Sequence, residues 1–469
     1  MGKRQRIRDP IHNLIEFDDV EFERTMWDVI QTRPFQRLRR VRQLGFSDYV
    51  YPGATHSRLA HSLGVFQTAR KLMEIIKRHQ GDLRYEPRKA DTALAAALVH
   101  DVGHGMFSHA FEDVGKKLDL KMAEHELVSD ALIREGEIAD ALNKNGSGFA
   151  NDVAEVIGSP PKNLYGAVVS SQFDADRLDY MQRDRIMTGV QNSAIDFKWL
   201  MANIEIAEVS KGVDDLDAGK IETFILGPKA LYAADTYVLS LFQLYPTVYF
   251  HKATRSAQKM FTALMIRIIE LVRDNGIENT GLHDRHPICR FAKNPDSIDN
   301  VLNLDDTVFW GALPLLAEAN DPCIHKLATR FQSRNLYKCI DVREKLFDKM
   351  EIKSDLSGNE LRDKLKQLKK NILTLEKRFD EWSEKKSCDE PLILTDTGQR
   401  DMYATLSEKK GPWNQMRIRK NGAVMDMVDS SSIVRSDEKF EFFRAYVSSG
   451  DGEAAKEIER SIDGILKGG

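Results

Sequence analysis

The chain has 469 residues, 42% hydrophobic and 30% charged, with a formal net charge of −4. That balance excludes a disordered polymer and fits a globular protein with room for roughly two or three structural units. The slight acidity disfavours a general nucleic-acid coat, which needs a concentrated positive field. No apolar run reaches the roughly 20 residues that cross a bilayer, so no membrane partner is expected. The basic start Met1-Gly-Lys-Arg-Gln-Arg is not followed by the apolar stretch of a secretory signal. Arg6 stands where myristoylation prefers Ser or Thr. The expected location is cytoplasmic. Cys289, Cys323, Cys339 and Cys388 are scattered, form no CxxC pair, and read as reduced thiols.

In chain order, most of the first 270 residues read as helix. Gln36-Arg37-Leu38-Arg39-Arg40-Val41-Arg42 is a basic run, either a ligand-facing surface or a solvated helix face. Ser62-Leu63-Gly64-Val65-Phe66 leads into Ala69, Leu72, Met73 and Ile76 with the spacing of a buried helical face. Ala93-Leu94-Ala95-Ala96-Ala97-Leu98-Val99 is apolar nearly all round and predicts a central helix that runs directly into His100-Asp101. Residues 230–249 and 252–272 continue the helical pattern. The stretch 275–300, rich in Gly, Pro, Asn and Asp, predicts a loop or boundary. Leu361, Leu365, Leu368, Ile372, Leu375, Phe379 and Trp382 form a heptad seam, read as packing within the domain or as a subunit contact. Gln415-Met-Arg-Ile-Arg and Ala423-Val-Met predict two strands joined by an Asn421-Gly422 turn.

The chemistry-bearing cluster is His100-Asp101-Val102-Gly103-His104-Gly105, followed by Ser108-His109. Imidazoles beside a carboxylate suit a divalent transition metal. Neighbouring helical residues point about 100° apart, so His100 and Asp101 meet one ion only where the helix ends. Gly103 and Gly105 are placed to end it. Further candidate ligands are His56 and His61 upstream, and Asp174, Asp176 and Asp179 downstream.

The order His61, His100-Asp101, Asp176 resembles the H…HD…D signature of the HD superfamily of metal-dependent phosphohydrolases. More narrowly, the chain resembles the deoxynucleoside triphosphate triphosphohydrolases. The matching pieces are Asp9-Pro-Ile-His12, Phe35-Gln-Arg-Leu-Arg39, Gln43-Leu-Gly45, Tyr51-Pro-Gly-Ala54, Arg58-Leu-Ala-His-Ser-Leu-Gly-Val65, the 100–109 and 174–184 stretches, Val248-Tyr-Phe-His-Lys252, Ser333-Arg-Asn-Leu-Tyr-Lys338 and Arg444-Ala-Tyr-Val447. The match runs in order along nearly the whole chain, which makes it far more specific than an HD dipeptide.

The resemblance implies a mainly α fold. An HD helical core with an N-terminal nucleotide-binding segment would occupy 1–272. A mixed α/β part, regulatory or oligomerising, would occupy 273–469. It implies a metal (iron, manganese, nickel, zinc or cobalt) on His61, His100, Asp101 and Asp176, with magnesium or manganese accompanying the nucleotide. The implied reaction cleaves a dNTP to deoxynucleoside and inorganic triphosphate, with His109 as proton donor and His104 and His125 in support. Arg58 would stand beside the metal ligands as a substrate-binding residue, Arg177 would pair with terminal phosphates, Gln43 and Asp184 would meet the 3′-hydroxyl, and Tyr180 and Tyr249 the sugar. A nucleotide effector would meet Gln31, Gln36, Arg39, His251, Lys252, Arg334 and Lys338. Gln31 departs from the Asp that reads guanine in the mammalian member, which leaves the effector's base open. A homodimer or homotetramer is expected. The signature alone also fits an HD phosphatase or phosphodiesterase acting on another nucleotide or on a nucleic-acid phosphoester.

Overall fold

The structure is a computed structural model that describes residues 4–191, 194–210, 219–353, 356–384, 389–403, 412–435 and 439–467. The chain forms two compact units assembled from separated stretches. The first comprises 1–108, 121–245 and 401–438; the second comprises 109–120, 246–400 and 439–469. A single cut after residue 272 does not describe them, because 401–438 returns to the first unit and 109–120 belongs to the second. The fold is mainly α with small sheets, as the sequence predicts.

The first unit opens with an antiparallel hairpin, Gln5–Asp9 with Asn13–Phe17, which the helical reading missed. Its turn is built by Asp9, whose Oδ1 accepts from the backbone N–H of Ile11 and His12, each at 2.9 Å. Asn13 completes the turn at φ 62°, a left-handed conformation that Asn tolerates. The unit's principal helices are Arg58–Arg84, Pro87–Val99, His125–Arg134 and Ala175–Thr188. Within the predicted apolar helix, Ala93 and Ala95 through Val99 are buried, so it is covered nearly all round. A four-stranded sheet, also missed in part, runs in the order Ile204–Ser210, Lys220–Leu226, Arg417–Lys420, Ala423–Asp426. Its last two strands form the expected hairpin, with Asn421 at φ 51° and Gly422 at φ 82°, the double left-handed turn that Asn-Gly favours. Leu226 pairs in parallel with Ile418, which stitches the late segment to the early one.

The second unit centres on the helix Lys252–Arg273, whose buried stripe includes Phe261, Leu264, Met265 and Ile268. A three-stranded sheet follows the order Lys338–Asp341, Lys439–Val447, Ile393–Asp401. The 275–300 stretch is not a plain loop. It holds two short helices, Pro287–Lys293 and Ile298–Leu302, started by the capping side chains of His286 and Ser297. The heptad seam lies on Gly358–Glu384. Leu368, Leu375 and Phe379 are buried in this unit's own core with Val342, Phe443 and Ile458, and Leu361, Leu365, Ile372 and Trp382 pack against it. Among the described residues no helix is long and apolar enough to cross a membrane. Cys289, Cys323 and Cys339 form no disulfide, and Cys388 lies outside the described residues.

Phe379 is fully buried and stacks on Phe443 with ring centroids 6.2 Å apart. Phe379→Ala is expected to cost about 3–5 kcal/mol of stability in the second unit. The measurement is a lower denaturant midpoint by circular dichroism.

Candidate metal centre

Three chain segments of the first unit supply the site. The helix Arg58–Arg84 starts at Ser57, whose side chain accepts from the Ala60 N–H, and places His61 on its buried face beside Leu63 and Phe66. The helix Pro87–Val99 ends with His100 as its cap and Asp101 in the following turn. The helix Ala175–Thr188 is capped by Asp174, which accepts from the Arg177 N–H at 2.8 Å, and ends at Gly189 in the left-handed conformation. Asp176 and Asp179, three residues apart, therefore share one of its faces.

His61, His100 and Asp101 each offer a ligand atom, all within 4.8 Å of one another. Asp176 Oδ1 joins them at 3.0 Å from His61 Nε2 and 3.8 Å from His100 Nε2. Nδ1 of His100 lies 3.0 Å from the Ala97 carbonyl oxygen, which can only accept, so the ring proton sits on Nδ1 and the Nε2 lone pair points away. That buried Nε2 has no hydrogen-bond partner among the described residues. His61 Nδ1 likewise faces the Asp179 carboxylate at 2.9 Å. Side-chain exposure rises from 0% at His61 and 10% at Asp101 to 39% at Asp176, so the cluster opens on the Asp176 side.

Arg58 is buried beside the cluster, ion-pairing with Asp101 and donating from Nε to Ser108 Oγ at 2.8 Å. Phe107 and Ser108 hold left-handed φ values of 51° and 53°, a conformation costing about 1–2 kcal/mol per residue. Phe107 is anchored by stacking on Phe46 at 4.0 Å. Gly103 is not a left-handed helix stop. A Cβ there would come within 2.3 Å of His125 O and Ser129 N, so glycine permits the close approach of the His125–Arg134 helix. The His104 and His125 rings stack at 3.9 Å.

Other predicted residues are placed as follows. The Gln43 N–H donates to the His56 carbonyl at 3.0 Å, and the His56 ring meets Asp184 at 2.8 Å, so these three gather together. Arg177 is held by Asp174 at 2.8 Å and by the Ser171 carbonyl. Tyr180 is half-buried on the same helix. His109 and Tyr249 belong to the second unit, where His109 is exposed and faces Glu112 at 3.1 Å. Gln31, Gln36 and Arg39 lie in the first unit, and His251, Lys252, Arg334 and Lys338 in the second. Gln36 bonds the Ile30 carbonyl and Arg39, at 2.7 Å each. His251 caps the helix Lys252–Arg273. The basic run is not a solvated face throughout. Arg37 is 1% exposed and donates to the carbonyls of Val102 and His104 at 3.2 and 2.6 Å, which supports the very loop that follows Asp101.

Burial opposes charge throughout the cluster, and neighbouring groups decide each outcome. Burial would lower the His61 pKa, but hydrogen bonds to Asp176 and Asp179 overcome it and push the imidazole up to about 10. Against burial, His100, Arg58 and His104 hold the Asp101 carboxyl well below its usual range. His61 similarly lowers Asp176. Burial, and then the Arg58 charge, push His104 well down and keep it neutral. Two carboxylates kept ionised, one imidazole with an idle lone pair and a second holding a proton between carboxylates are donors suited to a divalent cation. To ligate such an ion through Nε2, His61 would have to give up one of its two ring protons. At pH 7.5, below about 10, that proton is still bound in the metal-free protein. Manganese binding is therefore expected to release about one proton at pH 7.5, and to tighten as pH rises toward 10. Calorimetry in buffers of different ionisation enthalpy measures the release.

Comparison with known proteins gives the same frame. The HD domain family model matches residues 58–185, the span holding all four proposed ligands. An uncharacterized Bacillus subtilis protein, YwfO, is 30% identical over 342 residues, 73% of each chain. The Bos taurus protein named deoxynucleoside triphosphate triphosphohydrolase SAMHD1 is 28% identical over 376 residues, covering 71% of this chain and 58% of its own length. The crystal structure of a phosphohydrolase from Bacteroides thetaiotaomicron superposes with a TM-score of 0.69 over 95% of this chain and 100% of its own, at 24% identity, and supports the fold. With a helical HD core, a His/Asp cluster able to hold a divalent ion and relatives of this length, the chain belongs to the HD-domain family of phosphohydrolases.

Proposed function

We propose that the protein is a metal-dependent dNTP triphosphohydrolase whose reaction centre is the His61, His100, Asp101 and Asp176 cluster. The observation that carries this reading is the His100 Nε2 lone pair, buried without a hydrogen-bond partner among the described residues and aimed toward a second imidazole and two carboxylates. An iron, manganese, nickel, zinc or cobalt ion bound there supplies Lewis acidity toward a phosphoryl oxygen and acidifies water near neutral pH. Magnesium or manganese would accompany the nucleotide.

The chain's own residues then bind and orient the substrate. Arg58 fixes Asp101 and places a permanent positive charge beside the cluster. Arg177, next in sequence to Asp176, offers a second such charge for a triphosphate; Asp174 raises its pKa further. Asp184, fixed by His56, and Gln43, whose buried Oε1 has no hydrogen-bond partner among the described residues, offer acceptors for a sugar hydroxyl. Burial pushes the Tyr180 phenol well above its usual pKa, so it presents a neutral ring and hydroxyl to the sugar. Tyr249 would add a further sugar contact. His109 is the proposed proton donor to the leaving 5′-oxygen. His104, held neutral, and His125 would support phosphate or acid. Activation by a nucleotide at Gln31, Gln36, Arg39, His251, Lys252, Arg334 and Lys338, assembly as a homodimer or homotetramer, and a cytoplasmic location complete the reading. The deoxynucleotide substrate is supported by the name of the Bos taurus relative, a deoxynucleoside triphosphate triphosphohydrolase, and by the gathering of Gln43, His56 and Asp184.

Purified protein incubated with single and mixed dNTPs and manganese is expected to yield deoxynucleoside and inorganic triphosphate, resolved by ion chromatography. His100→Ala and Asp101→Ala should each lower turnover at least about 100-fold. Orthophosphate or pyrophosphate as the product would overturn the proposal. Ribonucleotides cleaved as fast as deoxynucleotides would point instead to an HD phosphatase or phosphodiesterase.

A further inference from the structure

We infer that the N-terminal hairpin is part of the metal centre, with His12 and Asp179 as positioning residues that set the orientation of His61. This rests on the reading of His61 as a metal ligand. A histidine that binds a metal through Nε2 must carry its proton on Nδ1, and a fixed acceptor for that proton sets both tautomer and ring angle. Asp179 is that acceptor.

What fixes Asp179 is a fully occupied carboxylate. Its Oδ2 accepts from His61 Nδ1 at 2.9 Å and Arg183 Nε at 2.7 Å. Its Oδ1 meets His12 Nε2 at 2.9 Å and accepts from Arg183 Nη2 at 3.0 Å. Both Asp179 and Arg183 are 0% exposed, so a lost partner leaves a buried charge with one hydrogen bond fewer. The His12 tautomer follows from its other nitrogen. Nδ1 lies 3.3 Å from the Lys71 ammonium, which can only donate, so Nδ1 accepts and Nε2 carries the proton given to Asp179. Arg183 reaches on to Asp9 at 2.7 Å, and Asp9 is the residue whose carboxylate builds the turn bearing His12. The hairpin and the His61 acceptor are thus joined at two points, His12 and Asp9.

Gly64 adds an independent geometric mark. It stands one turn beyond His61 on the same helix. A Cβ there would fall 2.1 Å from Asp179 Oδ1 and 2.2 Å from Arg183 Nη2, so the helix leaves room for this ion pair against its backbone.

The test compares His12→Gln, whose amide nitrogen reaches the place of Nε2, with His12→Asn, whose amide nitrogen is too short to reach it. Manganese affinity is measured by calorimetry on the full chain at pH 7.5, with circular dichroism confirming that each variant is folded. The expected result is affinity about 10- to 100-fold weaker in His12→Asn and near the parent value in His12→Gln. Equal affinities in the two variants, whether native or weakened, would overturn the inference, because the hydrogen bond to Asp179 would then not matter. A parent protein that binds no manganese would defeat the ligand reading itself, and this inference with it.

Discussion

An imidazole and several carboxylates removed from water are tolerable only when each finds a charged or hydrogen-bonding partner. That constraint organises the first unit. His61 at 0% exposure stands between Asp176 and Asp179, and Asp179 in turn needs Arg183 and His12. The helices Arg58–Arg84 and Ala175–Thr188 must therefore pack at a fixed register and a short distance, with glycine rather than alanine at the contact. The surrounding apolar residues, Leu63, Phe66, Leu98 and Val99 among them, supply the burial that makes this polar cluster rigid. Hydrophobic packing provides the driving force and the polar network fixes the register.

Much of this was legible in the residues. The all-apolar helix before His100, the Asn-Gly hairpin and the amphipathic seam were clear because each follows one short-range rule, periodicity or turn chemistry. The convergence of His61, His100 and Asp101 could be read from motif order through the resemblance. What stayed hidden depended on contacts between distant residues. The first hairpin has strands of only five residues, marginal alone, and its turn is tied through Asp9 and His12 to residues some 170 positions later. Asp176 and Asp179 are chemically identical three positions apart. They are told apart by their surroundings: Asp176 faces His61 Nε2 and is partly exposed, whereas Asp179 is buried between His61 Nδ1 and Arg183.

The basic run shows the same limit. Among Arg37, Arg39, Arg40 and Arg42, sequence offers no reason for one to turn inward. Yet Arg37 is buried on the carbonyls of Val102 and His104, while Arg39 and Arg40 are exposed and Arg42 pairs with Asp48. A guanidinium with several donors is well suited to bracing a loop that has no regular hydrogen-bond ladder. That loop holds the left-handed Phe107 and Ser108, so a side chain that reads as a surface charge helps hold the conformation in which Ser108 meets Arg58.

The pairing of Leu226 with Ile418 has a consequence for biosynthesis. A polypeptide leaves the ribosome from its N-terminal end, and the stretch that completes the first unit's four-stranded sheet emerges after residues 246–400 of the second unit. The nascent chain must carry an unfinished sheet edge while nearly all of the second unit is being translated. The first unit's four-stranded sheet is therefore completed only after residues 417–426 have been translated. During that interval the exposed strand Lys220–Leu226 is the place where a chaperone would be most useful.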